Sequence, residues 1–149
     1  MGTYKETNGN LLDLADSGKF QIIGHGANCF STMGGGIAAQ IRQRYPMAYT
    51  MDVKDRRPSI QKLGDFSVAS IMGELLVINI YSQYELGRNL DYEALTLALR
   101  KINRLYKGMS IGLPYVIGCG IAGGDIDTVI GIIKRELCDM DVTLVKYEQ

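Results

Sequence analysis

The sequence predicts an α/β domain with a mixed sheet between helical layers. Three observations carry this. Strand-like and helix-like segments alternate along the chain, one hairpin interrupts the alternation in its middle, and no repeat, low-complexity tract or linker divides the 149 residues. A single domain spanning residues 1–149, with one sizeable core, is the expectation.

The elements follow in order. β-prone alternation in TYKET predicts a first strand, Asn8-Gly9 a turn, and LLDLAD a short helix. FQIIG reads as a buried strand ending at Gly24. In GIAAQIRQRYP, Ile37, Ile41 and Tyr45 stand one helical turn apart, and Pro46 stops that helix. The polar stretch to Pro58 is expected to hold helix and loop. FSVASIM and LLVINIY, split by Gly73-Glu74, read as a hairpin or adjacent antiparallel pair. DYEALTLALRKINRLY is the clearest helix, with Asp91 as its cap and Leu95, Leu99, Ile102 and Leu105 on one face. MSIGLP is a short strand and YVIGCGIAGG a loop. DIDTVIGIIKREL is a helix with Ile126, Val129, Ile130 and Ile133 inward, and DVTLVKYE is a last strand.

Sixteen acidic residues balance sixteen basic ones. That argues against a protein whose affinity comes from neutralising nucleic-acid phosphates. No apolar run is long enough to span a bilayer, and MGTYKETNGN has no signal-peptide core, so no membrane partner is expected. Met1-Gly2 does not continue into a myristoylation pattern. Cys29, Cys119 and Cys138 are widely spaced and accompanied by a single histidine. Neither a disulfide framework nor a zinc site is expected, and a reducing, cytoplasmic setting with no metal or cofactor is the default.

Glycine is the informative residue. There are 18, and nine fall in two clusters, Gly24, Gly26, Gly34, Gly35, Gly36 and Gly118, Gly120, Gly123, Gly124. Each cluster is placed between a strand and a helix, the carboxyl edge where open α/β sheets bind ligands. Glycine-rich turns expose backbone N–H groups and a helix start adds positive potential, which together hold phosphate without lysine. The plainer alternative is a pair of tight strand-to-helix connections. Named motifs fit poorly. GCGIAG at Gly118 matches the dinucleotide fingerprint but too few residues follow it, no Lys-Ser/Thr follows the glycines, and neither Cys29 nor Cys119 has an arginine at the spacing of a cysteine phosphatase.

NGNLL, HGANCFSTMGGGIAAQI and LPYVIGCGIAGGD, in this order, resemble the macrodomain family over almost the whole chain. The resemblance is strongest to short members that include ADP-ribose 1″-phosphate phosphatases and ADP-ribosyl-glutamate hydrolases, phage and bacterial proteins among them. It implies a three-layer α/β/α fold around a mixed central sheet, and ADP-ribose or ADP-ribose 1″-phosphate as ligand, with ADP-ribosylated protein as a further partner. It also implies residue roles. Asn10, with the Leu11 backbone, takes the adenine amino group, and Asn28 bonds the distal ribose. Gly34, Gly35, Gly36 and Ile37 form a first loop around distal ribose and phosphate. Gly118, Cys119, Gly120, Ile121, Ala122 and Gly123 form a second loop on the pyrophosphate, and Tyr147 packs on adenine. Three positions depart from the family pattern. Asn10 replaces an aspartate, Ala122 replaces an aromatic residue, and Ser70 stands where the hydrolases carry a lysine, so lysine-dependent chemistry is disfavoured. Asp125 reaches the site only if its loop bulges.

The phosphatase-like members carry a histidine at the position of His25. An imidazole titrating near pH 6.5 suits acid–base work at a leaving oxygen. The alternative is a half-buried histidine that bonds a carbonyl and shapes the loop. Cys29 and Cys119 read as small packing residues. The expected function is hydrolysis of the terminal phosphate of ADP-ribose 1″-phosphate with His25 as acid or base. A non-catalytic ADP-ribose reader and an ADP-ribosyl or O-acyl-ADP-ribose hydrolase are the alternatives.

Overall fold

The computed structural model describes residues 2–117 and 122–147. A six-stranded sheet runs in the order β1-β6-β5-β2-β4-β3, built from β1 (Thr3–Gly9), β2 (Ile22–Asn28), β3 (Phe66–Ile71), β4 (Leu75–Gln83), β5 (Ser110–Pro114) and β6 (Asp141–Tyr147). Every pairing is parallel except β3 with β4. The carboxyl ends of β1, β6, β5, β2 and β4 therefore share one edge.

Side chains alternate across the strands, so neighbouring residues feed two cores. Ile22, Ile78, Ile80, Ile111 and Leu113 pack with Leu95, Ala98, Leu99 and Ile102 of α5 (Tyr92–Leu105) and with Val129, Ile132 and Ile133 of α6 (Ile126–Glu136). Ile23, Val77 and Val145 face the other way. They meet α1 (Leu11–Asp16), α2 (Gly36–Arg44) and α3 (Pro46–Lys54), with α4 (Ser59–Lys62) between α3 and β3 in the chain. This is the expected three-layer α/β/α arrangement. Asp91 caps α5, its Oδ1 accepting from the Ala94 N–H at 2.9 Å. Among the described residues, no helix is long and apolar enough to cross a membrane.

Five expectations shift. Asn8-Gly9 forms no turn but closes β1, paired with Lys146 and Tyr147 of β6. Leu105 is 56% exposed while Ala98 is buried, because the inward face of α5 drifts with the 3.6-residue period. In α6, Ile132 is buried whereas Ile130 is only partly so and Ile126 stays half-exposed. Pro46 ends α2 but also opens α3 at its first turn, where its missing N–H costs nothing. Finally, β2 does not stop at Gly24 but runs on to Asn28. Gly24 belongs to the sheet because a Cβ there would lie 3.0 Å from Leu113 Cδ2 and 3.2 Å from Ile80 Cδ1.

A second close approach sets the position of α1. A Cβ on Gly112 would fall 2.6 Å from Phe20 Cδ2 and 2.9 Å from Leu11 Cδ1. Only glycine lets Leu11 and Phe20 settle this deeply on β5.

Candidate functional site

A cleft of about 850 Å³ follows the carboxyl edge of the parallel strands. Its lining is ordered by the strands that deliver it. Asn10 and Leu11 follow β1, Lys146 and Tyr147 end β6, Tyr115 to Ile117 follow β5, Asn28 ends β2, and Gln83 ends β4. Four strand spacings separate the first of these from the last, about 19 Å at the usual spacing.

At the β1 end, Asn10 caps α1: its Oδ1 accepts from the Leu12 and Asp13 N–H groups, each at 3.0 Å. Both lone pairs of that oxygen are thereby used. The atom left for a ligand is the amide nitrogen, a donor, so Asn10 does not offer the acceptor expected for an adenine amino group. Apart from Lys146, the rest of this end is apolar or aromatic, with Leu11, Val116 and Val145 beside the rings of Tyr115 and Tyr147.

In the middle, the turn after β2 is held by Asn28. Its Oδ1 accepts from the Phe30 N–H and the Thr32 hydroxyl, both at 2.9 Å, and its Nδ2 donates to the Thr32 carbonyl at 3.3 Å. Asn28 thus shapes the loop and keeps one amide hydrogen for the cleft. Gly34, Gly35, Gly36 and Ile37 line the same stretch. Gly36 takes the left-handed φ of +56° that favours glycine. A Cβ on Gly34 would meet nothing within 4 Å. No internal packing demands glycine there, and the space above it is open to a ligand. Gly35 is the N-cap of α2 and supplies no side-chain cap. The first N–H groups of the nine-residue helix therefore remain for an anion.

Across from this loop, Ile117 and Ala122 line the cleft. Gly118, Cys119, Gly120 and Ile121, expected on a pyrophosphate, lie outside the described residues. Gly123 stands back from the cleft instead of lining it. Its φ is +77° and a Cβ would press on the Arg88 side chain at 3.1–3.3 Å. Asp125 caps α6 through Thr128 and also leaves the cleft alone. Ser70 lies in β3, the outer strand, and does not line it.

His25 is corrected most plainly. It lies in mid-strand opposite Asn79, fully buried, and it does not line the cleft. Burial holds its pKa below 6.5. Asn79 Nδ2 donates to the Ala48 carbonyl and to Ser67 Oγ, each at 3.0 Å, which leaves Asn79 Oδ1 to accept from His25 Nε2 at 2.7 Å. The imidazole is thus a neutral donor that fixes Asn79. We assign it no acid–base role.

The bonds continue in one direction. Ser67 accepts from Asn79, so its hydroxyl donates to the Tyr81 oxygen at 2.8 Å, and the Tyr81 hydroxyl donates to Asp52 Oδ1 at 2.7 Å. Burial and the Asp52 charge raise the Tyr81 pKa, keeping the phenol a donor. Asp52 of α3 is 1% exposed and borders the cleft, and its Oδ2 has no partner among the described residues. Nearby, Gln83 Nε2 donates to the carbonyls of Glu85 and Gly87 at 2.7 and 3.2 Å, and its Oε1 has no hydrogen-bond partner among the described residues. Sequence reasoning missed both residues. Gln83 carried a signal, a polar residue closing an apolar strand at the ligand-binding edge. Asp52 carried none, because PMAYTMDVK has no clean apolar stripe. Burial pushes the Cys29 thiol up to about 11, as suits a packing residue.

No protein-family model matches the chain. The 17.5 kDa protein of the tk-vs intergenic region of Enterobacteria phage T4 is 30% identical over 152 residues, covering 97% of this chain and 96% of its own. An ADP-ribose 1″-phosphate phosphatase of Aspergillus oryzae is 40% identical over 50 residues, 34% of this chain and 23% of that enzyme. Among solved structures, the macrodomain of Thermus aquaticus DarG superposes with a TM-score of 0.75 at 20% identity, over 100% of both chains. The Trypanosoma brucei macrodomain in complex with ADP-ribose gives a TM-score of 0.71 at 18% identity, over 98% of this chain and 64% of that one. The chain belongs to one family with the phage T4 protein, a family of macrodomain fold.

Proposed function

We propose that the protein binds ADP-ribose along this cleft. The observation that carries the reading is the three-part lining over about 19 Å of sheet edge. An apolar end with two tyrosine rings fits a base, a central run of uncapped N–H groups fits a pyrophosphate, and a polar end with Asn28, Asp52 and Gln83 fits a sugar. The Trypanosoma brucei macrodomain, of the same fold, carries ADP-ribose. In this reading Asn10, Leu11 and Tyr147 hold the base, Gly34 to Ile37 hold the phosphates and distal ribose together with the loop of residues 118–122, and Asn28 meets the distal ribose. Calorimetric titration with ADP-ribose, AMP and ribose 5-phosphate tests it. The whole ligand is expected to bind more tightly than either fragment, and equal affinity for AMP and ADP-ribose would contradict the three-part cleft.

A second reading adds hydrolysis of the terminal phosphate of ADP-ribose 1″-phosphate. It is favoured by the identity shared with the Aspergillus oryzae phosphatase over 50 residues. With His25 withdrawn, Asp52 is the carboxyl group the cleft offers among the described residues. Release of inorganic phosphate from that substrate, lost in Asp52→Asn, is the outcome this reading requires.

A further inference from the structure

The sugar end of the cleft is rich in acceptors and poor in cations. Asp52 Oδ2 is buried without a donor, and a buried oxygen in that state costs about 1–3 kcal/mol. Gln83 Oε1 is likewise without a partner among the described residues, because the carbonyls of Glu85 and Gly87 fix the amide with its nitrogen turned toward them. Neither group is free to turn its chemistry around. Asp52 is held through Oδ1 by the chain of bonds from His25, Asn79, Ser67 and Tyr81, in which every hydrogen already has a direction. Ser31 adds a bond from its Oγ to the Asp52 carbonyl at 3.4 Å, tying the glycine loop to α3.

The cation inventory points the same way. Lys146 is the one cationic side chain among the described lining residues, and it ends β6, three strands from Gln83. There it pairs with Glu6 at 3.9 Å and lies over the Tyr115 ring. Lys62 is packed over the Tyr81 ring at 5.5 Å and does not line the cleft. A ligand group arriving between Asp52 and Gln83 meets a carboxylate and a carbonyl, and no cationic side chain among the described residues lines the cleft at that end.

We propose that Asp52 and Gln83 make this end selective for a hydroxyl-bearing terminal ribose and discriminate against a terminal phosphomonoester. Hydroxyl groups donate to the two waiting oxygens, Asp52 Oδ2 and Gln83 Oε1. A terminal phosphate has only acceptors to offer at neutral pH and brings negative charge against the carboxylate, an arrangement that is costly where water is excluded. The inference rests on ADP-ribose being the ligand of the cleft, concerns which terminus of it is tolerated, and stands against the phosphatase reading, in which the 1″-phosphate must bind beside Asp52.

The experiment is a pair of calorimetric titrations, ADP-ribose and ADP-ribose 1″-phosphate, on wild type and Asp52→Asn. Wild type is expected to bind ADP-ribose at least about tenfold more tightly than the 1″-phosphate. Asp52→Asn keeps an acceptor for Tyr81 but replaces the charge with an amide that can donate, so the preference should narrow or reverse. A purely structural role for Asp52 would weaken both ligands alike and leave the ratio unchanged, which overturns the proposal. So does a wild type that prefers the 1″-phosphate, whatever the variant does. Binding of neither ligand by wild type overturns the ADP-ribose reading itself and this inference with it.

Discussion

Tyr81 donates its hydroxyl to Asp52 Oδ1 at 2.7 Å, with both residues buried, and this bond joins the centre of the sheet to the wall of the cleft. It makes the far end of β4 and the middle of α3 one unit. The polar residues that the strand pattern would leave unexplained in β2, β3 and β4, namely His25, Ser67 and Asn79, are there to deliver that bond.

Tyr81→Phe removes the donor and keeps the ring. The Asp52 carboxylate then has neither oxygen partnered by the protein, and Ser67 loses its acceptor. Stability should fall by about 1–3 kcal/mol, read from the midpoint of urea unfolding at unchanged slope. An unchanged midpoint would mean that the chain of bonds does not bear on folding.

His25 should act on stability and not on chemistry. Its folded pKa lies below the ordinary 6.5, so between the two values the unfolded chain binds a proton that the folded one does not. The contribution is whole above about pH 6.5 and is lost as pH falls below it, by at most about 1.4 kcal/mol per pH unit. Urea midpoints of wild type and His25→Gln, compared from pH 8 downwards, should converge as the pH drops. A difference that is flat across pH 6.5 would contradict the buried, neutral imidazole.

Asn10→Asp should strengthen ADP-ribose binding. Aspartate also caps a helix, and its second oxygen turns an acceptor toward the cleft where asparagine shows a donor. The gain expected is roughly three- to tenfold in affinity, the worth of one hydrogen bond. Weaker binding in the variant would show that the amide hydrogens of Asn10 serve the base.

Two glycines should respond in opposite ways to a single methyl group. Gly112→Ala drives a Cβ into Phe20 and Leu11, so it should cost about 1–3 kcal/mol of stability. Gly34→Ala meets no atom and should leave the unfolding midpoint where it was, yet weaken ADP-ribose by about tenfold as the methyl keeps the ligand off the backbone. Equal stability losses at the two positions would remove the contrast between packing glycine and ligand-facing glycine.

Much of this was legible from residues alone. The strand and helix order, the hairpin of β3 and β4, the Asp91 cap and the glycine loop at Gly34 to Gly36 all come from local patterns whose physical causes are local. What was not legible depends on contacts made across the sheet. Gly24 and Gly26 read as turn formers in sequence, but Gly24 lies in a strand pressed against Leu113 and Ile80, so His25 is carried from the expected strand end into the interior. The donor character of Asn10 follows from where two N–H groups of α1 point, which composition does not record. Asp52 became a cleft residue only through Tyr81, 29 positions away.

The central claim, that the cleft along the sheet edge holds ADP-ribose with its phosphates on the glycine loop, is tested most directly by titrating wild type and Gly35→Glu side by side. Gly35 precedes the uncapped N–H groups of α2, and a glutamate there fills the space with negative charge. The account predicts saturable ADP-ribose binding by wild type and none by the variant, with the variant still unfolding cooperatively. No heat of binding by wild type at high micromolar ADP-ribose, or equal binding by folded Gly35→Glu, would contradict it.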